Sequence, residues 1–167
     1  MLLPFAVACA DGLLGPVCKQ LAAACGSAAY TSLTQNLLFQ ADYFRDPLRV
    51  NTTAYKENSE IAQWNNEGTV VSPKYKENFI TVKRFAMIKA LKDTMIFPNE
   101  GEWWGHFADG SQKTVLTMKE TQWYQQDLFG LKTVDEAGKI VFNTTDGNHL
   151  QFTHEQLVWW LENYFVE

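Results

Sequence analysis

The chain is poor in the residues from which many sites are built. It has three cysteines, three histidines and five prolines in 167 residues. No Cys/His cluster has metal-ligand spacing and no glycine-rich phosphate loop occurs, so neither a metal centre nor a nucleotide site has support in the sequence. No apolar run approaches the ~20 residues that a membrane-spanning helix needs. Basic excess is missing too. The 14 Lys and Arg against 19 Asp and Glu leave a net charge of −5, which argues against general affinity for nucleic acid or an anionic membrane. Internal repeats and low-complexity tracts are absent. Also missing is the Gly-x-Ser-x-Gly elbow that holds a hydrolase serine on a sharp strand-to-helix turn. The serines are Ser27, Ser32, Ser59, Ser72 and Ser111, and "CGSAA" and "DGSQK" each offer one glycine at the wrong spacing.

What is present is a hydrophobic fraction of 46%, with 14% aromatic residues, which suits one globular domain or a piece of a larger one. The start, "MLLPFAVACADG", has an apolar run and an Ala8-Cys9-Ala10 triplet like a leader-cleavage site. It lacks a charged n-region and is shorter than a usual leader, so a folded segment is the better reading. In a reducing compartment Cys9, Cys18 and Cys25 read as buried thiols. In an oxidising one, Cys9 and Cys18 closing a short loop would leave Cys25 unpaired. Two glycosylation triplets, at Asn51 and Asn143, favour the oxidising side modestly.

Residues 16–44 carry helical apolar spacing through Leu33, Leu37, Leu38 and Tyr43 or Phe44, with Gly26 dividing two helices and Asp46-Pro47 ending the run. Residues 48–72 are polar and poorly periodic, which predicts loop with at most short helices. Ser72-Pro73 is a helix start, with Tyr75, Phe79, Val82 and Ala86 on one face. The lysines of this stretch read as a solvated helix face. "FAMIKAL" then predicts a short buried strand, followed at once by Asp93 in "LKDTMIFP". "EWWGHFAD", "TVLTMKETQWY" and "KIVFNTT" predict three further strands or extended pieces. Thr153-His154-Glu155-Gln156 is a capping-box pattern ahead of an aromatic helix. The pattern is α/β with an all-helical region in front.

In an α/β sheet, reactive groups collect where strands end at their carboxyl edge. Asp93 and His149 both hold such places, and the order acid-then-histidine is that of α/β-hydrolases. A carboxylate bonded to one imidazole nitrogen fixes the tautomer and leaves the other nitrogen free to move a proton. Glu100, Glu102 and Asp109 compete as the acid. His106, within an apparent strand, and His154, in a helix's first turn, are poorer bases.

Several pieces in order, "QADYFRDP" at 40–47, "WNNEG" at 64–68, "KRFAMIKALKDTMIFPNEGEWWGHFADG" at 83–110, "TMKETQWYQQDLFGLKTVDEAGKIVF" at 117–142 and "GNHLQF" at 147–152, resemble the palmitoyl-protein thioesterases. These are α/β-hydrolases that remove fatty acyl groups from protein cysteines. The resemblance runs from the Leu3-Pro4 region to Phe165 and implies the C-terminal half or more of such an enzyme. It implies a helical cap over residues 1–72 and the C-terminal part of the hydrolase core over 73–167. It places the acid on Asp93, the histidine on His149 and a short-range disulfide on Cys9 and Cys18. It makes Phe39, Tyr43 and Phe44 candidates for an acyl groove, although packing within the cap has the same sequence signature.

By the same resemblance the serine and the oxyanion donors precede anything present here, and Met1 matches an internal position, which undercuts the leader reading. S-acylated proteins or acyl thioesters are the expected substrates, with no cofactor or metal, no nucleic acid partner and a lysosomal or secreted location. The rival reading is a non-catalytic acyl- or protein-binding fragment. Two departures stand out. Asn148 replaces the family's usual Asp before the histidine, with Asp146 nearby, and the Asn143 triplet falls close to His149.

Overall fold

The structure is a computed structural model that describes residues 28–37 and 39–165. Cys9, Cys18 and Cys25, the apolar start and the Phe39 side chain lie outside the described residues. The first region is built from short helices: α1 (Ser32–Leu37), α2 (Phe39–Asp42), α3 (Thr53–Asn58) and α4 (Glu60–Trp64). Helices this short are not stable by themselves, so tertiary contacts must hold them. Ala29, Tyr30, Phe44, Val50, Tyr55 and Ala62 supply a small core, with Tyr30 stacked on Phe44 and edge-on to Tyr55. The Gln35 side chain stitches the pieces, donating to Ala29 O at 2.6 Å and Ala41 O at 3.0 Å and accepting from the Glu60 amide at 3.0 Å.

Helix α5 (Pro73–Phe79) starts at Ser72-Pro73 as expected, although the Ser72 side chain makes no cap bond. It ends at Phe79, so the apolar face foreseen through Val82 and Ala86 is cut short. Ala86 belongs instead to β1 (Phe85–Ala90), because pairing begins at once: the Phe85 amide donates to Lys139 O at 2.8 Å. Strand pairing here overrides helical spacing.

β1 runs parallel to β4 (Ile140–Thr145), in register from Phe85 opposite Ile140 to Ala90 opposite Thr145. A parallel pair needs a crossover, and the chain between them is irregular. The two long extended pieces predicted here shrink to an antiparallel hairpin of two-residue strands, β2 (His106–Phe107) and β3 (Val115–Leu116). On either side the chain turns helical: 3₁₀ turns at Asn99–Trp103 and Met118–Glu120, then α6 (Gln122–Gln125) and α7 (Leu131–Glu136). The Met118 turn has a full capping box between Thr117 and Glu120, and Thr121 caps α6. Helix α8 (His154–Tyr164) carries the capping box foreseen at Thr153 and Gln156. The second core gathers Met87, Met118, Trp123, Tyr124, Phe129, Leu131, Val134 and Ile140. The described residues are therefore α/β, helices with a small parallel sheet, and the helical part comes first. Among them, no helix is long and apolar enough to cross a membrane.

Candidate active site

Because β1 and β4 are parallel and in register, the chain leaves both strands at the same edge. The pairing continues past the strands, with the Leu91 amide on Thr145 O at 2.8 Å and the Lys92 amide on Gly147 O at 3.0 Å. Two loops are thus delivered side by side, one carrying Asp93 and the other His149. Asn148 ties them: its Oδ1 accepts from the Thr94 amide at 2.9 Å and from the His149 amide at 2.6 Å. The residue noted as a departure at this position therefore has a local structural task.

The His149 turn is tight. The Gln151 amide donates to Asn148 O at 2.9 Å, Thr145 Oγ1 donates to Gln151 O at 2.8 Å, and Leu150 sits at φ 56°. A non-glycine residue in the left-handed region is uncommon and marks a backbone held by its surroundings. Gly147 is there for space: a Cβ would stand 2.3 Å from Gln151 O.

Within this frame His149 Nδ1 meets Asp93 Oδ2 at 2.6 Å. The Asp93 side chain is wholly buried (0% exposed), whereas that of His149 is 27% exposed. The other oxygen, Asp93 Oδ1, accepts from the Met95 amide at 2.6 Å and the Ile96 amide at 2.8 Å. Burial pushes the Asp93 carboxyl up, but the Ile96 amide, the His149 ring and the Met95 amide outweigh it and hold it below the ordinary carboxylate range. A fixed, ionised acid bonded to Nδ1 sets the tautomer in which Nε2 is the basic nitrogen. Asp93 is the ring's one hydrogen-bond partner among the described residues.

The competing acids fall elsewhere. Glu100 pairs with Lys89 at 3.2 Å, and Asp109 pairs with Arg45 at 2.8 Å. Glu102 lies behind Asp93, its Oε2 accepting from the Ala90 amide at 2.8 Å. His106 is buried in β2 with its ring centroid 4.4 Å from that of Trp123, and His154 opens α8.

Of the groove candidates, Phe44 is buried in the first core, while Tyr43 lines a cavity of about 170 Å³. Phe97, Trp104, Phe107 and Trp123 share that cavity, which lies at the seam between the two regions. These ring positions were not singled out from the sequence; "WW" at 103–104 and Phe97 just beyond Asp93 were the signals available. A larger and more open apolar groove, about 450 Å³, is lined by Trp64, Tyr75, Phe79, Val82, Phe85 and Phe129. It sits at the amino end of β1, the end away from Asp93. Asn51 is exposed on the turn before α3. Asn143 lies in β4 with its amide donating to the Tyr164 hydroxyl at 2.8 Å. No group of three His, Cys, Asp or Glu arranged to hold a metal occurs among the described residues.

Asp93, its side chain buried, and half-open His149 are thus presented from adjoining parallel strand ends as a hydrogen-bonded pair with one imidazole nitrogen left free. The family model for palmitoyl protein thioesterase matches residues 5–149, and the chain belongs to that family. It is 38% identical over 131 residues to palmitoyl-protein thioesterase 1 of Caenorhabditis elegans, covering 78% of this chain and 43% of the relative. It is 34% identical over 125 residues to palmitoyl-protein thioesterase 3 of Dictyostelium discoideum, covering 74% and 43%. Lysosomal thioesterase PPT2-B of Xenopus laevis is 29% identical over 123 residues, covering 70% and 40%. The chain thus spans about two fifths of the length of these curated relatives.

Proposed function

We propose that these residues are the acid–histidine part of an acyl-protein thioesterase of the α/β-hydrolase fold. Residues 1–72 would form its helical cap, and residues 73–167 the C-terminal portion of its core. The 2.6 Å contact between buried Asp93 and His149, in a chain of this family, carries the reading. No serine of the chain has elbow spacing, so the nucleophile would come from the part of the family length that the chain does not span.

In the reaction, the serine hydroxyl adds to the thioester carbonyl while His149 Nε2 takes its proton, and Asp93 stabilises the imidazolium. Collapse breaks the carbon–sulfur bond, and His149 returns the proton to the departing cysteine sulfur. His149 then takes a proton from water, hydroxide adds to the acyl-serine, and the fatty acid leaves as the serine is reprotonated. None of these steps needs a cofactor or metal. The acyl tail would be bound by burial, at ~0.8 kcal/mol per CH₂. The cavity beside Tyr43 and Phe97 is the better candidate for its first carbons, because Phe97 follows Asp93 by four residues and the larger groove is at the far end of β1. Phe39 and Phe44 would shape the cap around it.

An S-acylated protein is the substrate class. A lysosomal destination, suggested by relatives named lysosomal thioesterases, would take the chain through the oxidising ER lumen, which would suit a Cys9–Cys18 disulfide and a glycan at Asn51. Asn143 suits one less well, since its amide is already bonded beneath α8. The test is palmitoyl-thioester hydrolysis by the polypeptide as its own cells make it. His149→Ala should abolish turnover and Asp93→Asn should lower it by ~10⁴. Undiminished turnover in His149→Ala would sink the reading.

A further inference from the structure

The backbone rungs between the two strand ends stop at Lys92, whose amide donates to Gly147 O at 3.0 Å. Beyond that rung, among the described residues, no backbone bond joins the acid loop (93–97) to the histidine loop (148–152). The Thr94 amide instead reaches across to a side chain, donating to Asn148 Oδ1 at 2.9 Å. A carboxamide thus takes the place of the missing rung. Asp93 lies between the two tied residues of its loop, Lys92 and Thr94, and His149 directly follows the two that hold them, Gly147 and Asn148.

The Asn148 side chain holds more than one point. Its Oδ1 also accepts from the His149 amide at 2.6 Å, and two amides on one atom identify that atom as the oxygen. Nδ2 is thereby turned to Thr94 Oγ1, to which it donates at 3.0 Å, and the same hydroxyl lies 3.2 Å from Oδ1. The Asn148 backbone is itself steadied, its amide donating to Gln151 Oε1 at 2.9 Å. Thr94 is exposed and Asn148 half-buried, so neither is there to fill a core. We propose that Asn148 and Thr94 are positioning residues for the Asp93–His149 pair: the carboxamide straps the two loops together beside the acid and the base and so fixes the contact between them.

The tolerance at such a contact is small, since a displacement of about 1 Å can cost ~10²-fold in rate. Asp93 is anchored on its own loop by the Met95 and Ile96 amides, and the His149 ring bonds only to Asp93 among the described residues. What sets the distance between carboxylate and ring is therefore the spacing of the two loops. The Lys92 rung fixes that spacing on one side of Asp93, and the Asn148 strap fixes it on the other. An amide suits the place better than a carboxylate would. It supplies the donor that Thr94 Oγ1 receives and brings no charge beside the imidazole.

The proposal rests on Asp93 and His149 being the acid and base, but two of its three readouts need no turnover, so the two can fail separately. By NMR of the full chain, Asn148→Ala should speed exchange of the Thr94 and His149 amides ~10-fold or more. The Leu91 and Lys92 amides, held by backbone rungs, should keep their protection and report that the sheet is intact. The low-field signal of the proton between His149 Nδ1 and Asp93 should broaden. In palmitoyl-thioester hydrolysis by the polypeptide as its own cells make it, the same substitution should lower kcat ~10-fold or more at an unchanged KM. Asn148→Asp keeps the acceptor of both amides and should recover most of the loss. Thr94→Val keeps its amide but not its hydroxyl and should show the same changes to a lesser degree; if Asn148→Ala does not fold, this variant decides. Thr94 and His149 amides as protected as in the parent overturn the proposal. So does a rise in KM at unchanged kcat, or no recovery in Asn148→Asp. If His149→Ala keeps its turnover, the acid–base reading falls, while exchange and the low-field signal still decide whether the strap holds the contact.

Discussion

Residues 28–72 and residues 85–149 both bury aromatic rings, but they place their polar groups differently. In the first region Gln35, Arg45, Ser59, Asn65 and Asn66 are buried among short helices, and side-chain amides and one guanidinium do the joining. In the second, an apolar cluster around Leu131 and Val134 packs against a ladder of backbone bonds, and side-chain bonds tie together the two loops beyond the strand ends. A helix of four to six residues has too little apolar face to hold itself, so bonds from side chain to backbone fix its direction. Two paired strands with a packed face can instead carry reactive groups outward on their loops. The difference explains why the acid and the histidine sit at the end of β1 and β4 while the polar network of the first region is structural.

The contrast meets its hardest test at Arg45, which belongs to the first region but reaches into the second. It pairs with Glu67 and Asp109, both at 2.8 Å, with its side chain only 4% exposed. It also bonds His106 Nδ1 at 3.2 Å and lies 5.1 Å from the Trp123 ring centre. Removing one partner of a buried ion pair leaves the other charge uncompensated, so Arg45→Met should cost ~3–5 kcal/mol in a denaturant titration. Hydrogen exchange should rise first in 41–67 and 106–110. Leu131→Ala removes a fully buried side chain (0% exposed) from the apolar core and should cost about 3 kcal/mol. Exchange should then rise in 85–90 and 140–145 instead. If both variants open the same amides together, the two regions are one cooperative unit and the contrast is of composition alone.

The sequence made the sheet and the site more legible than the parts between them. "FAMIKAL" and "KIVFNTT" read as strands because four to six apolar or β-branched residues are bounded by turn signals, and the loops beyond them carry Asp93 and His149, which the structure brings together. Thr153 and Gln156 announced α8 by their capping box. The same signal, Thr117 with Glu120, lies inside "TVLTMKETQWY", where the aromatic residues suggest strand; Trp123 and Tyr124 are buried from a helix instead. Helix α7, six residues long after Gly130 at φ 97°, is too short to show a helical period in the sequence. Glu102 looks no different from Glu100 in the sequence, because its bond to the Ala90 amide depends on a strand edge and a turn that only the fold brings together.

His106 offers a test through pH. It sits at the seam, and burial first, then the Arg45 guanidinium, push its pKa down to about 4, against the Phe107 carbonyl and the carboxylates of Glu67 and Asp109. An unfolded histidine titrates near 6.5. Between that value and about 4 the unfolded chain takes up a proton that the folded chain refuses, so stability falls as pH drops through this window and levels off below it. The total is on the order of 3 kcal/mol. His106→Gln, which cannot titrate, should flatten the slope of unfolding free energy between pH 6.5 and 4. An unchanged slope would place the acid sensitivity elsewhere and separate the seam from its charges.

The smallest effect should come from the cap of α8. Thr153 Oγ1 accepts from the Gln156 amide at 3.2 Å, and Gln156 Oε1 accepts from the Thr153 amide at 2.8 Å. Thr153→Ala should therefore cost ~1 kcal/mol. Only three residues, Leu150 to Phe152, separate this cap from His149, yet the ring should not respond. The His149 turn is closed by bonds of its own, to Thr145, Asn148 and Thr94, and Gly147 lets the Gln151 backbone pass at a distance that no side chain allows. The helix leans on Trp160 and leaves Leu157, Trp159 and Leu161 substantially exposed, so loosening its first turn frees little that bears on the loop. Comparing the His149 ring signals of the parent chain and Thr153→Ala checks this. A shift on the scale produced by Asp93→Asn would mean that α8, and not the paired strand ends, holds the histidine in place.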